Sequence, residues 1–347
     1  MKRVRLVFLL MMNLIASFLQ FSCKTAKEGI SIFPHVQATP TDDGIIFPLN
    51  RNDKTGLYIL KLKDTTVTEI LPPYPGIIAN PTLSSKMDKL FLSYAKKENG
   101  VYNEFIASFN LQDSTFTQLK AINQIAIDIV PSEDPNKLYL FLANEIDKSS
   151  PLSTYRAKSV NLYSYSIAEN TINLEVRLNA YTVSGKGFMD ATGENLFMNI
   201  AFGEKDSRSK PSGPYKINMK SKTLTYLVPN NIADLHPNVD MRGITKEFYT
   251  ATLQPMPSKQ ANIYFLEGVY DVYEVNEKDG LAKIIFKQSV HDRFDRHFTL
   301  KGIANFKNTN DIIIVRKSQN GDQFVILSSE ANDRIYPINM DSLINNF

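Results

Sequence analysis

The sequence predicts an all-β fold made of repeated strand units, and two observations predict it. After residue 30, short apolar or alternating runs are separated by turns rich in Asp, Asn, Gly, Ser and Lys. The same order of turn, strand, connection, strand, tight turn and strand also returns along the chain. The first runs of the units begin at residues 45, 90, 138, 196, 248 and 312, so the spacing is 45 to 64 residues. Such a period of strands and turns is typical of the blades of a β-propeller.

The units predict a propeller of six four-stranded antiparallel blades. The three outer strands of each blade are predicted, unit by unit, at 45–49, 56–62 and 67–71; 90–94, 104–109 and 116–119; 138–142, 161–166 and 171–176; 196–200, 215–218 and 223–227; 248–253, 270–275 and 281–286; and 312–315, 324–327 and 334–338. The apolar run before each turn, such as 77–82 or 124–130, is predicted to be the innermost strand. Seven blades is the alternative, since the spacing before Ile312 is long enough to hold another pair of strands.

The connection between the first two strands of a unit is predicted to absorb the variation in length. Insertions are predicted there at 148–158, 203–212 and, more briefly, 255–260. The propeller is predicted to span residues 31–338, and 339–347 is predicted to be a C-terminal tail. Closure of the ring is expected from a strand near 29–34 that pairs with the last blade, because closure removes exposed sheet edges.

Three turns, with the strands that follow them, share a local pattern. They read PTLSSKMDKLFLSY at 81–94, DDGIIF at 42–47 and DATGENLF at 190–197. This pattern resembles the blade motif of TolB-like propellers, in which a proline and a Ser-Pro-Asp-Gly-Lys turn precede an apolar strand. The resemblance covers most of residues 31–338 and implies a six-bladed propeller, a fold that serves binding scaffolds and the gating domains of prolyl oligopeptidase-like enzymes. No Gly-x-Ser-x-Gly elbow occurs, so a hydrolase domain of that kind is not expected.

Residues 1–22 are predicted to be a secretion signal that ends at the only cysteine of the chain. Three basic residues precede a mostly apolar run at 6–19, which is short for a membrane span but suits a signal. The Leu-Gln-Phe-Ser-Cys sequence that follows resembles a bacterial lipobox. We therefore predict lipidation of Cys23, a tether at 23–30, and a lipoprotein anchored at the periplasmic face of a membrane or at the cell surface. The alternative is an ordinary cleaved signal with an incidental cysteine.

Charge and motif content exclude several classes of function. The chain has 39 Lys+Arg and 36 Asp+Glu, a formal net charge of +3 that the three basic residues of the signal account for. The basic footprint of a nucleic-acid-binding protein is therefore missing, and no nucleic-acid partner is expected. The sequence has no Walker loop, no Rossmann glycine pattern and no His-Glu-x-x-His motif. No cofactor is expected, and the chain is expected to be a monomer.

The four histidines are the candidates for a metal site. His35, His236, His291 and His297 lie near the starts of the first, fifth and sixth units, where they could converge at one mouth of a propeller channel. Asp295 is the candidate oxygen ligand or base beside them. The competing interpretation is hydrogen-bonded histidines at blade entries and solvated ion pairs in a connection, since metal-ligand spacing is missing.

Aromatic residues populate the predicted second strands. Two interpretations compete, namely packing between neighbouring blades and an aromatic platform for a glycan or peptide. The residues concerned are Tyr58, Phe105, Tyr163, Tyr165, Tyr215, Tyr270, Tyr273 and Phe324. We favour packing, because every blade of a propeller needs it.

The sequence predicts a non-catalytic, membrane-anchored binding or scaffold propeller that engages a protein partner, or a glycan, in the cell envelope. For each candidate catalytic set of residues, a purely structural role is the favoured interpretation. This motivates the prediction of a non-catalytic protein. The alternative is a metal-dependent, carbohydrate-active propeller enzyme with a histidine site at the channel mouth. That enzyme would need His35, His236 and at least one of the other two histidines within one coordination sphere.

Overall fold

The computed structural model describes residues 31–32, 36–51, 54–99, 101–144, 159–202, 210–235, 250–258, 260, 262–268, 271–287, 299–305, 311–318, 321–327 and 334–337. These residues form one five-stranded and five four-stranded antiparallel sheets. One turn of helix, α1, covers Ile232–Leu235, and described residues 250–252 are also helical. Within the described ranges, no helix is long and apolar enough to cross a membrane.

The strands follow one another in chain order. The first sheet consists of β1 (Ser31–Ile32), β2 (Gln37–Ala38), β3 (Gly44–Arg51), β4 (Lys54–Lys61) and β5 (Val67–Pro75). The second sheet consists of β6 (Ile77–Leu83), β7 (Lys89–Glu98), β8 (Val101–Asn110) and β9 (Phe116–Ile122). The third sheet consists of β10 (Ile125–Pro131), β11 (Lys137–Asn144), β12 (Ser159–Ser166) and β13 (Thr171–Ala180).

The second half of the chain continues the series. The fourth sheet consists of β14 (Thr182–Met189), β15 (Asn195–Ala201), β16 (Gly213–Asn218) and β17 (Leu224–Tyr226). The fifth sheet consists of β18 (Gln254–Pro257), β19 (Ile263–Glu267), β20 (Asp271–Asn276) and β21 (Leu281–Lys287). The sixth sheet consists of β22 (Thr299–Asn305), β23 (Ile312–Ser318), β24 (Gly321–Leu327) and β25 (Arg334–Pro337).

The sheets are antiparallel meanders arranged as a propeller. The strands β2, β6, β10, β14, β18 and β22 contact one another in a closed ring and are therefore the innermost. In the first sheet, β1 and β2 both pair with β3, so two short strands share its inner edge. The prediction of six four-stranded blades, and the alternative of seven, are wrong for the described residues, which form five four-stranded blades and one sheet of five strands.

Closure of the ring also differs from the prediction. Ser31 and Ile32 pair with Asn50 and Leu49 of their own sheet, not with the last blade. The described parts of the first and sixth sheets meet through side chains, since the rings of Phe47 and Phe324 lie 5.3 Å apart in one buried cluster. The ring is thus closed there by packing of apolar side chains.

In the fifth unit, the predicted second and third strands at 270–275 and 281–286 are confirmed as β20 and β21, but the predicted first strand and insertion are not. The predicted first strand at 248–253 is wrong, because described residues 250–252 are helical. The predicted insertion at 255–260 is also wrong, since Gln254–Pro257 is the innermost strand β18. In the other units, the predicted innermost strands at 77–82 and 124–130 are confirmed as β6 and β10.

The hydrophobic core lies between neighbouring sheets. Buried clusters join the first sheet to the second, the second to the third, the third to the fourth and the fourth to the fifth. Tyr58, Tyr165, Tyr215, Tyr273 and Phe324 of the predicted second strands are all buried. For these residues, the interpretation of aromatic packing between blades is confirmed, since large rings fill the space between twisted sheets.

The meander places two kinds of connection at opposite ends of the sheets. Short polar turns, such as 39–43, 84–88, 132–136 and 190–194, lie at one end, which we call the turn face. The connections from β3 to β4, from β11 to β12, and from each sheet to the next lie at the other end, which we call the loop face. Four segments longer than ten residues join described strands, at 145–158, 202–212, 227–253 and 288–298, and all four start and end at strand ends of the loop face. Within 227–253, however, Asn230 and Asn231 lie at the turn face, where they hydrogen-bond to Asp279, Gly280 and Ala282 at the turn from β20 to β21.

Candidate functional site

In three neighbouring sheets, the pairing between the innermost strand and the next strand is interrupted by an irregularity. Register shifts interrupt β6 at 79–82, β10 at 126–128 and β14 at 184–188. A β-bulge turns side chains and carbonyl groups away from the ladder, and bulges are common beside functional sites. These bulges free polar groups on the inner wall of the ring.

Lys186 lies in the β14 bulge and reaches the innermost strands of two other sheets. Its Nζ donates a hydrogen bond to Oε1 of Gln37 at 2.5 Å and another to the carbonyl oxygen of Pro81 at 2.7 Å. One side chain of the fourth sheet therefore joins the first and second sheets across the centre. We call Gln37, Pro81, Asp128, Lys186 and Gln254 the central cluster.

Two glycines flank Lys186 and bring β14 close to its neighbours. The backbone N–H of Gly187 donates to Oδ2 of Asp128 in the third sheet at 2.6 Å. Gly185 has a φ of +76°, and a Cβ at this position would clash with the side-chain amide of Gln254 in the fifth sheet. The Gly-Lys-Gly run thus brings groups from five sheets together, because only glycine permits this conformation and this close approach.

Asp128 and Lys186 are held in an environment that disfavours charge. Asp128 is fully buried, and its Oδ1 atom has no hydrogen-bond partner. Burial raises the pKa of the Asp128 carboxyl group, while the Gly187 N–H and the charge of Lys186 oppose the shift. Burial lowers the pKa of the Lys186 amine, while the charge of Asp128 opposes that shift. Each ionised group therefore depends on the other for part of its stabilisation.

Buried amide and hydroxyl side chains tie further sheets together. Asn80 Nδ2 donates to the carbonyl oxygen of Ile127 at 2.8 Å, and Thr82 Oγ1 donates to that of Ile129 at 3.2 Å. These bonds join the second sheet to the third. Asn199 Nδ2 donates to the carbonyl oxygen of Leu253 at 2.5 Å, which joins the fourth sheet to the segment that enters the fifth.

The arrangement of the central cluster is suited to holding the ring rather than to catalysis. The amine of Lys186 is engaged by Gln37 and Pro81, and the carboxyl group of Asp128 is closed to solvent. A general acid or base must come within hydrogen-bond reach of a substrate atom. The groups of this cluster are instead within reach of neighbouring sheets, so they fix the positions of the blades.

The residues predicted as sites lie outside the described part of the chain. They are the lipidation candidate Cys23 and the metal-site candidates His35, His236, His291, His297 and Asp295. Among the described residues, no group of three or more His, Cys, Asp or Glu side chains could hold a metal ion. Lipidation and the histidine site therefore stay predictions.

Sequence reasoning missed the central cluster. A lysine between two glycines, at 185–187, is an unusual run for an innermost strand and is the signal that could have found it. Its partners Asp128, Pro81 and Gln37 lie 58, 105 and 149 residues away in the chain, so no local pattern joins them to Lys186.

Glu267 is a second group whose pKa is changed by burial. It lies at the loop-face end of β19, where its backbone pairs with that of Gln254. Burial raises the pKa of its carboxyl group to about 8. In the folded protein at pH 7 this carboxyl group is therefore mostly neutral, whereas in the unfolded chain it is ionised.

Glu267→Gln is expected to make the protein less sensitive to alkaline pH. Because the folded pKa of Glu267 is above the unfolded value, its contribution is fully present below about pH 4 and is lost as pH rises through about 8, with a slope of at most about 1.4 kcal/mol per pH unit. The variant lacks this loss, so its advantage over the wild type should grow from pH 5 to pH 8. Urea unfolding at both pH values measures it, and an equal difference at the two would contradict the assignment.

The sequence matches no family model and no curated protein. Solved structures do match. TolB from Acinetobacter baumannii aligns with a TM-score of 0.54 at 12% identity over 89% of this chain, which spans 63% of the TolB chain. A chain of a nidogen/laminin complex aligns with a TM-score of 0.57 at 8% identity, over 86% of this chain and 94% of that one.

A third solved structure belongs to an enzyme. Oligogalacturonate lyase from Vibrio parahaemolyticus aligns with a TM-score of 0.50 at 9% identity, over 89% of this chain and 78% of that one. At such identities the likeness concerns the fold alone, and one fold serves proteins of many functions. The chain is a β-propeller of four-stranded antiparallel blades, and TolB-like propellers are among its structural neighbours.

Proposed function

We propose that this chain is a non-catalytic binding propeller of the cell envelope, anchored to a membrane through Cys23, that engages a protein partner at its loop face. One observation carries the proposal: the segments longer than ten residues that join described strands all start and end at strand ends of the loop face. Connecting segments on a rigid scaffold are where binding residues concentrate. The turn face, in contrast, carries short turns.

The connection at 203–209 leaves the fourth sheet from a firmly held base. The backbone N–H of Phe202 donates to Oγ of Ser212 at 3.0 Å, and Tyr215 OH donates to the carbonyl oxygen of Pro211 at 2.5 Å. The Lys210 ammonium lies 5.4 Å from the centre of the Phe202 ring. Because the two ends are joined at the base, the residues between them can be shortened without a change in the sheet.

Shortening 203–209 to two glycines is expected to reduce recovery of the partner. The full-length chain is cross-linked in membranes and purified, and the amount of each co-purified protein is compared with that of the wild type. The matched control replaces Lys220 and Lys222 on the turn face with alanine, a change that affects one surface ion pair with Glu175. Loss of the same protein in the loop-face variant alone supports the proposal. Equal recovery in both variants, or recovery of the propeller alone from wild-type membranes, would count against it.

Cys23→Ala is expected to release the protein from the membrane fraction. The substitution removes the sulfur that would carry the lipid, and anchoring by acyl chains is lost with it. Fractionation followed by immunodetection gives the result, and Ser22→Ala serves as the control because it keeps a small residue before the cysteine. Membrane association of the Cys23→Ala protein at the wild-type level would show that the anchor assignment is wrong.

A further inference from the structure

We propose that the loop face of the propeller faces the membrane that holds the lipid anchor, with its lysines at the headgroups, and that the turn face points away. The proposal rests on the anchoring at Cys23 proposed above. It goes further by assigning the orientation of the disc and the surface that the loop face meets, and it therefore requires the protein partner of the loop face to be held at that same membrane surface.

The chain enters the propeller from the loop face. Ser31 is the first described residue, and it pairs with Asn50 at the loop-face end of β3. It therefore lies on the inner edge of the first sheet, beside the ring axis. A tether that begins at Cys23 must approach this point from the loop-face side or travel around the disc.

The tether is too short to travel around the disc. Ser31 is eight positions after Cys23, and an extended chain of eight steps spans at most about 28 Å. The path to the turn face crosses three strand spacings, about 15 Å, and then the length of an eight-residue strand, about 27 Å. The path through the centre is crossed by the side chain of Lys186, which donates hydrogen bonds to Gln37 and Pro81. The turn face therefore cannot lie against the membrane.

The charges of the two faces agree with this orientation. The nine fully described turns of the turn face carry twelve carboxylates and five lysines; they are 39–43, 62–66, 84–88, 111–115, 132–136, 167–170, 190–194, 219–223 and 277–280. At the loop face, Lys54, Lys97 and Lys210 are exposed at the described strand ends, and Lys96 pairs with the exposed Glu98 at 2.8 Å. An anionic leaflet attracts basic groups near its surface and repels acidic ones. The electrostatic field thus favours the orientation that the tether length allows.

Energy transfer to the membrane surface tests the orientation. Lys97→Cys and Lys86→Cys place a thiol at opposite ends of the second sheet, and both side chains are exposed. Each full-length variant, with Cys23 blocked by its lipid, is labelled with a donor dye and reconstituted in vesicles of phosphatidylcholine and phosphatidylglycerol that carry a headgroup acceptor. Because the two positions are separated by roughly 30 Å along the strand direction, we expect transfer from Lys97→Cys to be at least about twofold higher. Equal or higher transfer from Lys86→Cys would overturn the proposal.

A longer tether provides the control. A 20-residue Gly/Ser insertion after Gly29 makes the tether flexible and long, so the difference between the two positions should shrink toward zero. A persisting difference would mean that lipid contact alone, rather than tether length, sets the orientation, and would overturn the length argument. The vesicles contain no protein partner, so a failure to recover a partner from cells leaves this measurement intact. If the wild-type chain does not float with the vesicles, it has no working lipid anchor, and the proposal is overturned.

Discussion

Lys186→Met is expected to lower the free energy of unfolding by about 3 kcal/mol, because it removes the charged donor at the centre of the ring. The carbonyl oxygen of Pro81 and Oε1 of Gln37 lose their hydrogen-bond donor, and Asp128 loses the positive charge that opposes the rise of its pKa. Methionine keeps most of the length of the side chain, so the effect is one of charge and hydrogen bonding. Urea unfolding at pH 7, with intrinsic tyrosine fluorescence or circular dichroism, measures the loss.

Two further variants separate this effect from a general sensitivity to lysine substitution. Lys222→Met removes a more exposed lysine that pairs with Glu175, and it should cost less than about 1 kcal/mol. Asp128→Asn, added to Lys186→Met, should recover part of the loss, because the buried group then no longer carries a charge. Equal losses for the Lys186 and Lys222 variants would show that the central cluster does not hold the ring.

Much of the strand pattern could be predicted, because polar turns and apolar runs are local properties of the sequence. The predicted first strands at 45, 90, 138, 196 and 312 begin within one residue of β3, β7, β11, β15 and β23. In each case a short polar turn precedes a run of buried residues. The polar turn and the apolar run are adjacent in the sequence and together mark the start of each strand, so the sequence alone locates these strands.

The innermost strand of the fifth unit is hard to find from the sequence because it contains two prolines. Pro255 and Pro257 suggested a connection, since proline interrupts a strand that has neighbours on both sides. An innermost strand of a propeller is a sheet edge, however. The side of the strand that has no neighbouring strand faces the ring axis. Proline is tolerated at such an edge, and Gln254–Pro257 therefore pairs with β19 in spite of it.

Ring closure and the central cluster could not be predicted, because both depend on which distant strands meet. The run at 185–187 carries a local signal, but its meaning depends on a carboxylate, an amide and a carbonyl group from three other sheets. Likewise, a two-residue strand at Ser31 can pair with its own sheet or with the last one, and no local pattern decides between them. Long-range register is set by packing of the whole ring.

Gly76→Ala is expected to cost about 3–5 kcal/mol, because both the backbone and the space at this position require glycine. Gly76 is buried in the connection from the first sheet to the second and has a φ of +125°. A Cβ there would lie 2.5 Å from Cε2 of Tyr94 and 2.7 Å from the carbonyl oxygen of Ala95. Neither group can move easily, since Tyr94 is fully buried and its OH donates to the carbonyl oxygen of Pro75 at 2.6 Å.

Gly193→Ala is the matched control for this prediction. Gly193 also has a positive φ, +69°, but a Cβ there would meet only the flexible side chain of Glu133, at 3.2 Å. The expected cost is therefore the backbone strain alone, about 1–2 kcal/mol. Denaturation midpoints of the two variants, measured side by side, give the difference. A loss for Gly76→Ala no greater than that for Gly193→Ala would show that Tyr94 and the strand end at Ala95 can yield, and that the junction of the first two sheets is not tightly packed.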